Sequence, residues 1–366
     1  MRCGEPGMPV DGVLNFRQQG GPVTIDTEES GQCNVPPARL SVVSTDSGEE
    51  APFAVFGSQP KPSCDRCSEP EPIMPVSLDE SYAYCVQLSR RTAKNFYYSF
   101  LALPSERFQA MCALYAFMRL CDDLGDDPQK LPAEREANLS LWQEDLERAL
   151  GGEATRHPVF PALCDIVRRY RIPTEYLFAV IRGVRMDLGP VHLRTFAQLE
   201  DYCYHVAGVV GLCCVHVWGF DDPRALQAAI PCGLAFQLTN ILRDLKEDAA
   251  LGRIYLPAED LERFGYTADD LRQGCRDERF RQLMQFEVQR TRGYYAQAQE
   301  LFTYLHPEGR PVLEAMFRIY GGLLDEIERR QFDVFSRRIQ LSTWRKLCVA
   351  ARGIARLQWS RLRGLR

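Results

Sequence analysis

The sequence has almost no excess charge of either sign. Its 44 Lys and Arg residues against 49 Asp and Glu leave a net charge of −5 over 366 residues, which gives no bulk basic signature for nucleic acid. It shows no apolar run that reads as long enough to cross a bilayer. Its N-terminus, MRCGEPGMPVDG, lacks the basic-then-apolar order of a secretory signal. Gly-rich phosphate loops, internal repeats and strand-like alternation are missing or scarce. Cysteine is plentiful, but the 14 cysteines are scattered without framework spacing. Cys112, Cys121, Cys213, Cys214 and Cys232 fall within helical apolar patterns, so a reducing cytosol with cysteine as a small core residue is expected. The CxxC from Cys64 to Cys67 has no second pair and no nearby His, and falls short of a four-ligand zinc site.

Composition changes near residue 75. Before it lie 11 of the 23 prolines, among many Gly, Ser and Glu residues, and no helical period survives. Such a segment buries too little apolar surface to offset its ordering entropy, so residues 1–75 are expected to be a disordered tail. From about Leu78 the pattern is helical, and a single all-α catalytic domain is expected over residues 76–342. Pro104-Ser105-Glu106 opens one helix. Its body, FQAMCALYAFMRLCDD, is apolar on nearly every face, as in the middle of a bundle. A second such helix, ALQAAIPCGLAFQLTNILRDLKEDAA, carries Pro231 early and stops at Gly252. Between them, Gly208 and Gly211 sit in YCYHVAGVVGLCCVHVWG, where a helical glycine costs about 1 kcal/mol relative to Ala. Either a close backbone or ligand approach or a tight helix crossing accounts for them.

The chemistry lies at the ends of the two greasy helices. One ends in Asp122-Asp123-Leu124-Gly125-Asp126-Asp127, and the other carries Asn240-Ile241-Leu242-Arg243-Asp244-Leu245-Lys246-Glu247-Asp248. Helical spacing puts Asp122 beside Asp126 and Asp244 beside Asp248. Like charges there repel, and desolvation raises the cost. Two such pairs ask for a cation, and oxygen-only ligands favour Mg²⁺ or Mn²⁺ over zinc. An EF-hand is excluded because its ligand order is missing. A solvated helix end explains either cluster alone. Two together, each with an arginine (Arg119, Arg243) within a turn before its acids, describe a diphosphate clamp.

FYYSFLALP, LYAFMRLCDDLGDD, YCYHVAGVVG and QLTNILRDLKEDAALGRIYLP resemble, in order, the four hallmark segments of the squalene/phytoene synthase family. The resemblance covers roughly residues 78–350. With NFYYSFLALP, GVRMDL and LLDEIERRQFDVFSRRIQLSTWRKL, it is most similar to the bacterial branch of that family that makes presqualene diphosphate for hopanoids and squalene. It implies an isoprenoid-synthase-type bundle with a central apolar cavity and a Mg²⁺-dependent prenyltransferase. By that resemblance Asp122, Asp123 and Asp126 hold metal from one helix, and Asn240, Asp244, Glu247 and Asp248 from the facing one. Arg119, Arg243, Arg338 and Lys94 contact phosphate. Phe96, Tyr115, Tyr202, Gln237 and Tyr320 line the pocket, and Gly208 and Gly211 let prenyl chains approach the backbone. His205 reads as a neutral core histidine or a phosphate contact.

The implied reaction is head-to-head condensation of two farnesyl diphosphates to presqualene diphosphate. Phytoene or dehydrosqualene synthesis, the former from geranylgeranyl diphosphate, is the alternative, and a non-catalytic assembly relative is the reading outside enzymology. Both acid motifs are complete, which argues against the last. RDLKEDAALGRIYLP argues against a chain-elongating prenyltransferase or a terpene cyclase. Aromatic faces of Phe96, Tyr115, Tyr202 and Tyr320 would stabilise an allylic cation without a nucleophile. Aromatics at helical spacing are more often core, and only proximity to the acids singles these out. No nicotinamide fingerprint is present, so NADPH is not expected. From Trp344 to Arg366 seven basic residues and no acid alternate with Trp, Leu, Ile and Val. Residues 343–366 therefore read as a basic amphipathic helix on anionic lipid, placing a cytoplasmic protein peripherally on the inner membrane face.

Overall fold

Apolar residues at helical spacing dictate the elements. In the computed structural model, which describes residues 76–93, 96–155 and 157–340, they form α1 (Leu78–Thr92), α2 (Phe96–Phe100), α3 (Ser105–Gly125), α4 (Pro132–Leu150), α5 (Phe160–Tyr170), α6 (Thr174–Arg185), α7 (Phe196–Cys203), α8 (Val209–Trp218), α9 (Arg224–Ala250), α10 (Ala258–Arg263), α11 (Ala268–Gln273), α12 (Glu278–Ala298), α13 (Leu301–Tyr304) and α14 (Arg310–Arg329). The two strands among the described residues are two-residue pieces, β1 (Val191–His192) and β2 (Arg253–Ile254), paired in parallel with Val191 opposite Arg253. The fold is all-α, as expected. The expected tail 1–75 with its Cys64–Cys67 pair, Lys94, and the basic segment 343–366 lie outside the described residues.

Local chemistry marks many helix boundaries. Ser77 and Glu80 form a capping box at α1, and Thr195 and Gln198 form another at α7, each satisfying backbone N–H groups that the first turn leaves open. Pro104 precedes α3 where the sequence placed its start. Two helices form the centre. On α3, Met111, Cys112, Ala113, Leu114, Ala116 and Phe117 are all buried, so no face is left for water. It packs on α1, α4, α5, α6 and α8, while α9 packs on α8, α12 and α14. Each fully buried Leu or Phe of this interior contributes about 1.5–3 kcal/mol. The cysteines that the sequence assigned to the core are buried and free: Cys112, Cys121, Cys213, Cys214 and Cys232.

Three features depart from the sequence reading. By length and composition α9 is apolar enough to cross a membrane, contrary to expectation, but 67% of its most apolar window is buried in the bundle; it is a core helix. The path from α7 to α8 is not plain α-helix, because Tyr204–Gly208 forms a π-helical turn. Finally, α9 is kinked at Asp244, whose φ of −105° and ψ of 16° leave the helical region.

The glycines sit at a tight crossing. A Cβ on Gly211 would lie 3.2 Å from the Ala229 carbonyl oxygen of α9, and one on Gly233 would lie 2.5 Å from that of Ala207 and 2.8 Å from the Gly208 Cα. Backbone meets backbone here, and Gly233 shares the close approach with the two glycines singled out from sequence. Away from this crossing, Arg290 of α12 donates to Asp260 at 2.7 Å and to Glu287 at 2.9 Å. Its guanidinium also lies 3.9 Å from the centre of the Phe196 ring. This buried group ties α10, α12 and α7 together.

Candidate active site

Between α3, α6, the π-turn, α8 and α14 lies a cavity of about 360 Å³. Its walls are aliphatic and thioether: Met111, Leu114, Met118, Val180, Val184, Val206, Val210 and Met316, with Phe100, Tyr115 and Cys214. Asp122, Asp126, Asp187, Tyr202 and Gln237 supply its polar groups. A second chamber of about 130 Å³ adjoins it, sharing Val206, Val210, Cys214, Gln237 and Met316, and adds Gly211, Asn240 and Tyr320. Val206, Val210 and Cys214 follow one another at four-residue spacing through the π-turn into α8, so one helical stripe faces both chambers. The ring of Tyr320 stacks on Phe236 at 4.6 Å.

The first acid motif divides by helical geometry. Asp122 and Asp126, one turn apart, line the cavity. Asp123 instead pairs with Arg119 at 2.5 Å, and neither of those two lines either chamber. Adjacent helical residues point about 100° apart, so Asp123, expected as a metal ligand with Asp122 and Asp126, sits off the cavity side of α3. Asp126 accepts from Arg253 at 2.8 Å. Asp122 is open to water at the cavity mouth yet crowded by protein on its other sides. That enclosure, and then the charge of Asp126, push its carboxyl up to about 7, against the pull of Arg119.

Of the second motif, Asn240 lines the second chamber, while Asp244, Glu247 and Asp248 line neither. Asp244 is held by Arg243, whose Nε donates at 2.8 Å, and by Arg338 at 3.1 Å. Burial, and then Asp244, push the Asp248 carboxyl up to about 7, while Arg253 pulls it down. Glu247 has a buried carboxylate oxygen with no hydrogen-bond partner, as does the Nε of Arg119. Asn240 donates to Gln237 at 3.4 Å.

Among the described residues no three of these acids converge as a finished metal cage. The donor set nevertheless fits a hard cation whose remaining ligands are phosphate and water oxygens. It is all oxygen, its members raise one another's pKa, and Glu247 keeps an unpaired buried oxygen.

Sequence reasoning missed three residues. Asp187 lines the cavity between the motifs, and its charge raises both Asp122 and Asp248. Arg253 and Tyr255 reach it from the β2 strap. Their signals were present in the quoted segments GVRMDL and GRIYLP, but a lone acid after an amphipathic helix carries no periodicity. Of the other expected residues, Phe96 lies in α2, and Phe100 of the same helix lines the cavity. His205 is buried with its Nδ1 2.9 Å from the Asp201 carbonyl oxygen and lines neither chamber. Gly208 belongs to the crossing with α9 and not to a chamber wall.

A family model for squalene/phytoene synthase matches residues 89–345. The chain belongs to the squalene/phytoene synthase family. Members of the family are prenyltransferases that condense prenyl diphosphates head to head. This chain is 40% identical over 290 residues to the phytoene synthase of Arthrospira platensis, covering 75% of this chain and 92% of that protein. It is also 40% identical over 285 residues to the 15-cis-phytoene synthase of Synechococcus elongatus, with the same coverage. A solved dehydrosqualene synthase with bound ligand superposes with a TM-score of 0.69 at 30% identity, covering 77% of this chain and 98% of that one. The squalene synthase of Alicyclobacillus acidocaldarius follows at 0.66 and 31%, covering 71% and 97%. The family's fold is thus the isoprenoid-synthase bundle expected from the motifs.

Proposed function

We propose that this chain condenses two geranylgeranyl diphosphates head to head to a phytoene-type C40 hydrocarbon. The observation that carries the reaction class is one apolar cavity bordered by the Asp122/Asp126 turn of α3 and by Asp187, whose charge reaches Asp248 of the second acid pair. Chain length is argued from the relatives at 40% identity, which are named phytoene synthases. This reverses the order favoured from sequence motifs, where presqualene diphosphate from farnesyl diphosphate came first. That C30 reading remains second, supported by the dehydrosqualene and squalene synthase structures.

Asp122, Asp126, Asp244, Asp248 and Glu247 would hold Mg²⁺. Bound there, the metal would neutralise charge on the departing diphosphate. Arg243 and Arg338, now sharing Asp244, can turn their forks to phosphate oxygens. Val206, Val210, Met111 and Met316 keep water from the allylic cation, and the face of Tyr115 and the side chain of Tyr202 lower its energy. The 2,3-double bond of the second substrate attacks that cation. Proton loss closes a cyclopropane, and a second ionisation with ring opening and a further proton loss gives the hydrocarbon without a reductant. We extend the proposal to residues 343–366 as a basic, membrane-surface segment through which a cytoplasmic protein passes its greasy product to lipid.

The test is a product assay with purified protein and Mg²⁺ and no nicotinamide. Geranylgeranyl and farnesyl diphosphate are offered separately, and extracts analysed before and after phosphatase. A C40 hydrocarbon from geranylgeranyl diphosphate is the expected result. Presqualene alcohol released only by phosphatase, or a C30 hydrocarbon, would move the chain to the second reading. No turnover of either would overturn both.

A further inference from the structure

The cavity wall carries one carboxylate that belongs to neither acid motif. Both oxygens of Asp187 are engaged: Tyr202 donates to Oδ2 at 2.7 Å and Tyr255 donates to Oδ1 at 2.7 Å. The two tyrosine rings stack with their centres 4.8 Å apart. The group is braced from outside. Arg253 donates to the Asp187 backbone oxygen at 2.9 Å and to Asp126 at 2.8 Å, and the β1–β2 pairing joins the two loops that bear these residues. Burial pushes the Asp187 carboxyl up, while Tyr255, Tyr202 and Arg253 pull it back.

A phenol has one hydrogen to donate and lone pairs with which to accept. With its hydrogen given to Asp187, the Tyr202 oxygen has only lone pairs left to offer its other neighbours, the Tyr255 hydroxyl and the cavity that Tyr202 lines. Tyr255 takes the other carboxylate oxygen and prevents the carboxylate from turning away. In a dry site such fixed dipoles act without reorganising as charge develops.

Resting on the condensation proposed above, we infer that Asp187 is a positioning residue: it locks the Tyr202 hydroxyl so that its oxygen, and not its hydrogen, faces the allylic cation. Sequence periodicity cannot reveal this role, because the three participants come from separate loops and one helix.

Asp187→Asn keeps the shape, removes the charge and lets the amide donate, which frees the Tyr202 hydroxyl to reverse. The expected effect is a fall in kcat of about 10²-fold, with KM within about threefold of wild type. Tyr202→Phe is expected to fall similarly, and the double variant no further than Tyr202→Phe alone, since both remove one interaction. A merely structural aspartate would instead give losses that multiply and a lowered melting temperature. Tyr255→Phe provides a second cycle with Tyr202→Phe should Asp187→Asn fail to fold, and a non-multiplying loss is again expected. Asp187→Asn activity within about twofold of wild type, or multiplying losses in either cycle, overturns the inference. Wild-type protein that makes no head-to-head product from either diphosphate overturns the function itself, and the inference with it.

Discussion

Replacing Gly233 by alanine sets two magnitudes against each other. Helix propensity alone favours the change by about 1 kcal/mol, because glycine in a helix interior spends more backbone entropy than alanine. Packing opposes it. The new Cβ would lie 2.5 Å from the Ala207 oxygen, 2.7 Å from the Ala207 carbonyl carbon and 2.8 Å from the Gly208 Cα, whereas carbon contacts settle near about 3.5–4.0 Å. All three neighbours are backbone, so no side chain can rotate to relieve the clash, and α9 must move away from the π-turn. Overpacking costs about 1–3 kcal/mol, and with backbone on both sides the upper end applies. The net expectation is destabilisation by about 2 kcal/mol, which lowers Tm by roughly 4–8 °C in a domain of this size. Gly321→Ala is the control, since nothing lies within 4 Å of its added Cβ. That variant is expected to hold or gain up to about 1 kcal/mol. Thermal melts followed by helical circular dichroism read both. A Gly233→Ala protein that melts at or above wild type, beside a well-behaved Gly321→Ala, refutes the tight crossing.

Four further outcomes are expected. Asp122→Asn and Asp248→Asn should each lower kcat by on the order of 10²-fold or more, without lowering Tm in metal-free buffer, because each removes a crowded acid; activity assays paired with melts check this. Both carboxyls are raised from the ordinary 3.8 to about 7 in the folded chain, so their contribution to stability is complete below 3.8 and is lost as pH rises through about 7. The metal-free protein should therefore melt lower at pH 8 than at pH 6, with a smaller difference in the two Asn variants, and Mg²⁺ with inorganic diphosphate should raise Tm more at pH 8. EDTA should abolish turnover and excess Mg²⁺ restore it. Arg290→Met should cost about 3 kcal/mol or more by leaving Asp260 and Glu287 buried without their cation. Glu287→Gln should cost far less, because burial already pushes that carboxyl up; chemical denaturation separates the two.

The acid pairs, the burial of α3 and α9 and the start of α3 were legible because each is a property of one helix. Periodicity puts Asp122 beside Asp126, caps mark where helices begin, and an all-apolar surface announces a central helix. Asp123 shows where such reading stops. Its neighbours made it look like a third ligand, yet the same geometry that pairs it with Arg119 turns it from the cavity. The kink at Asp244 and the π-turn at Tyr204–Gly208 had no local signal: neither segment carries a proline at its irregular step, and the π-turn sits at the crossing with α9.

The same reasoning explains why Asp187, Arg253 and Tyr255 escaped notice. Each is a single residue outside any periodic pattern, and what joins them is a two-residue strand pairing across some sixty positions of chain. Such a pairing is too short to be seen as alternation. Its effect is large because it sets charge within reach of both motifs: Asp187 raises Asp122 and Asp248, while Arg253 binds Asp126 and lowers Asp248. The two motifs are therefore one electrostatic site before any substrate arrives. A substitution in the strap, such as Arg253→Ala, should consequently disturb both acid pairs at once, lowering activity as far as loss of a motif aspartate while leaving every acid of both pairs in place.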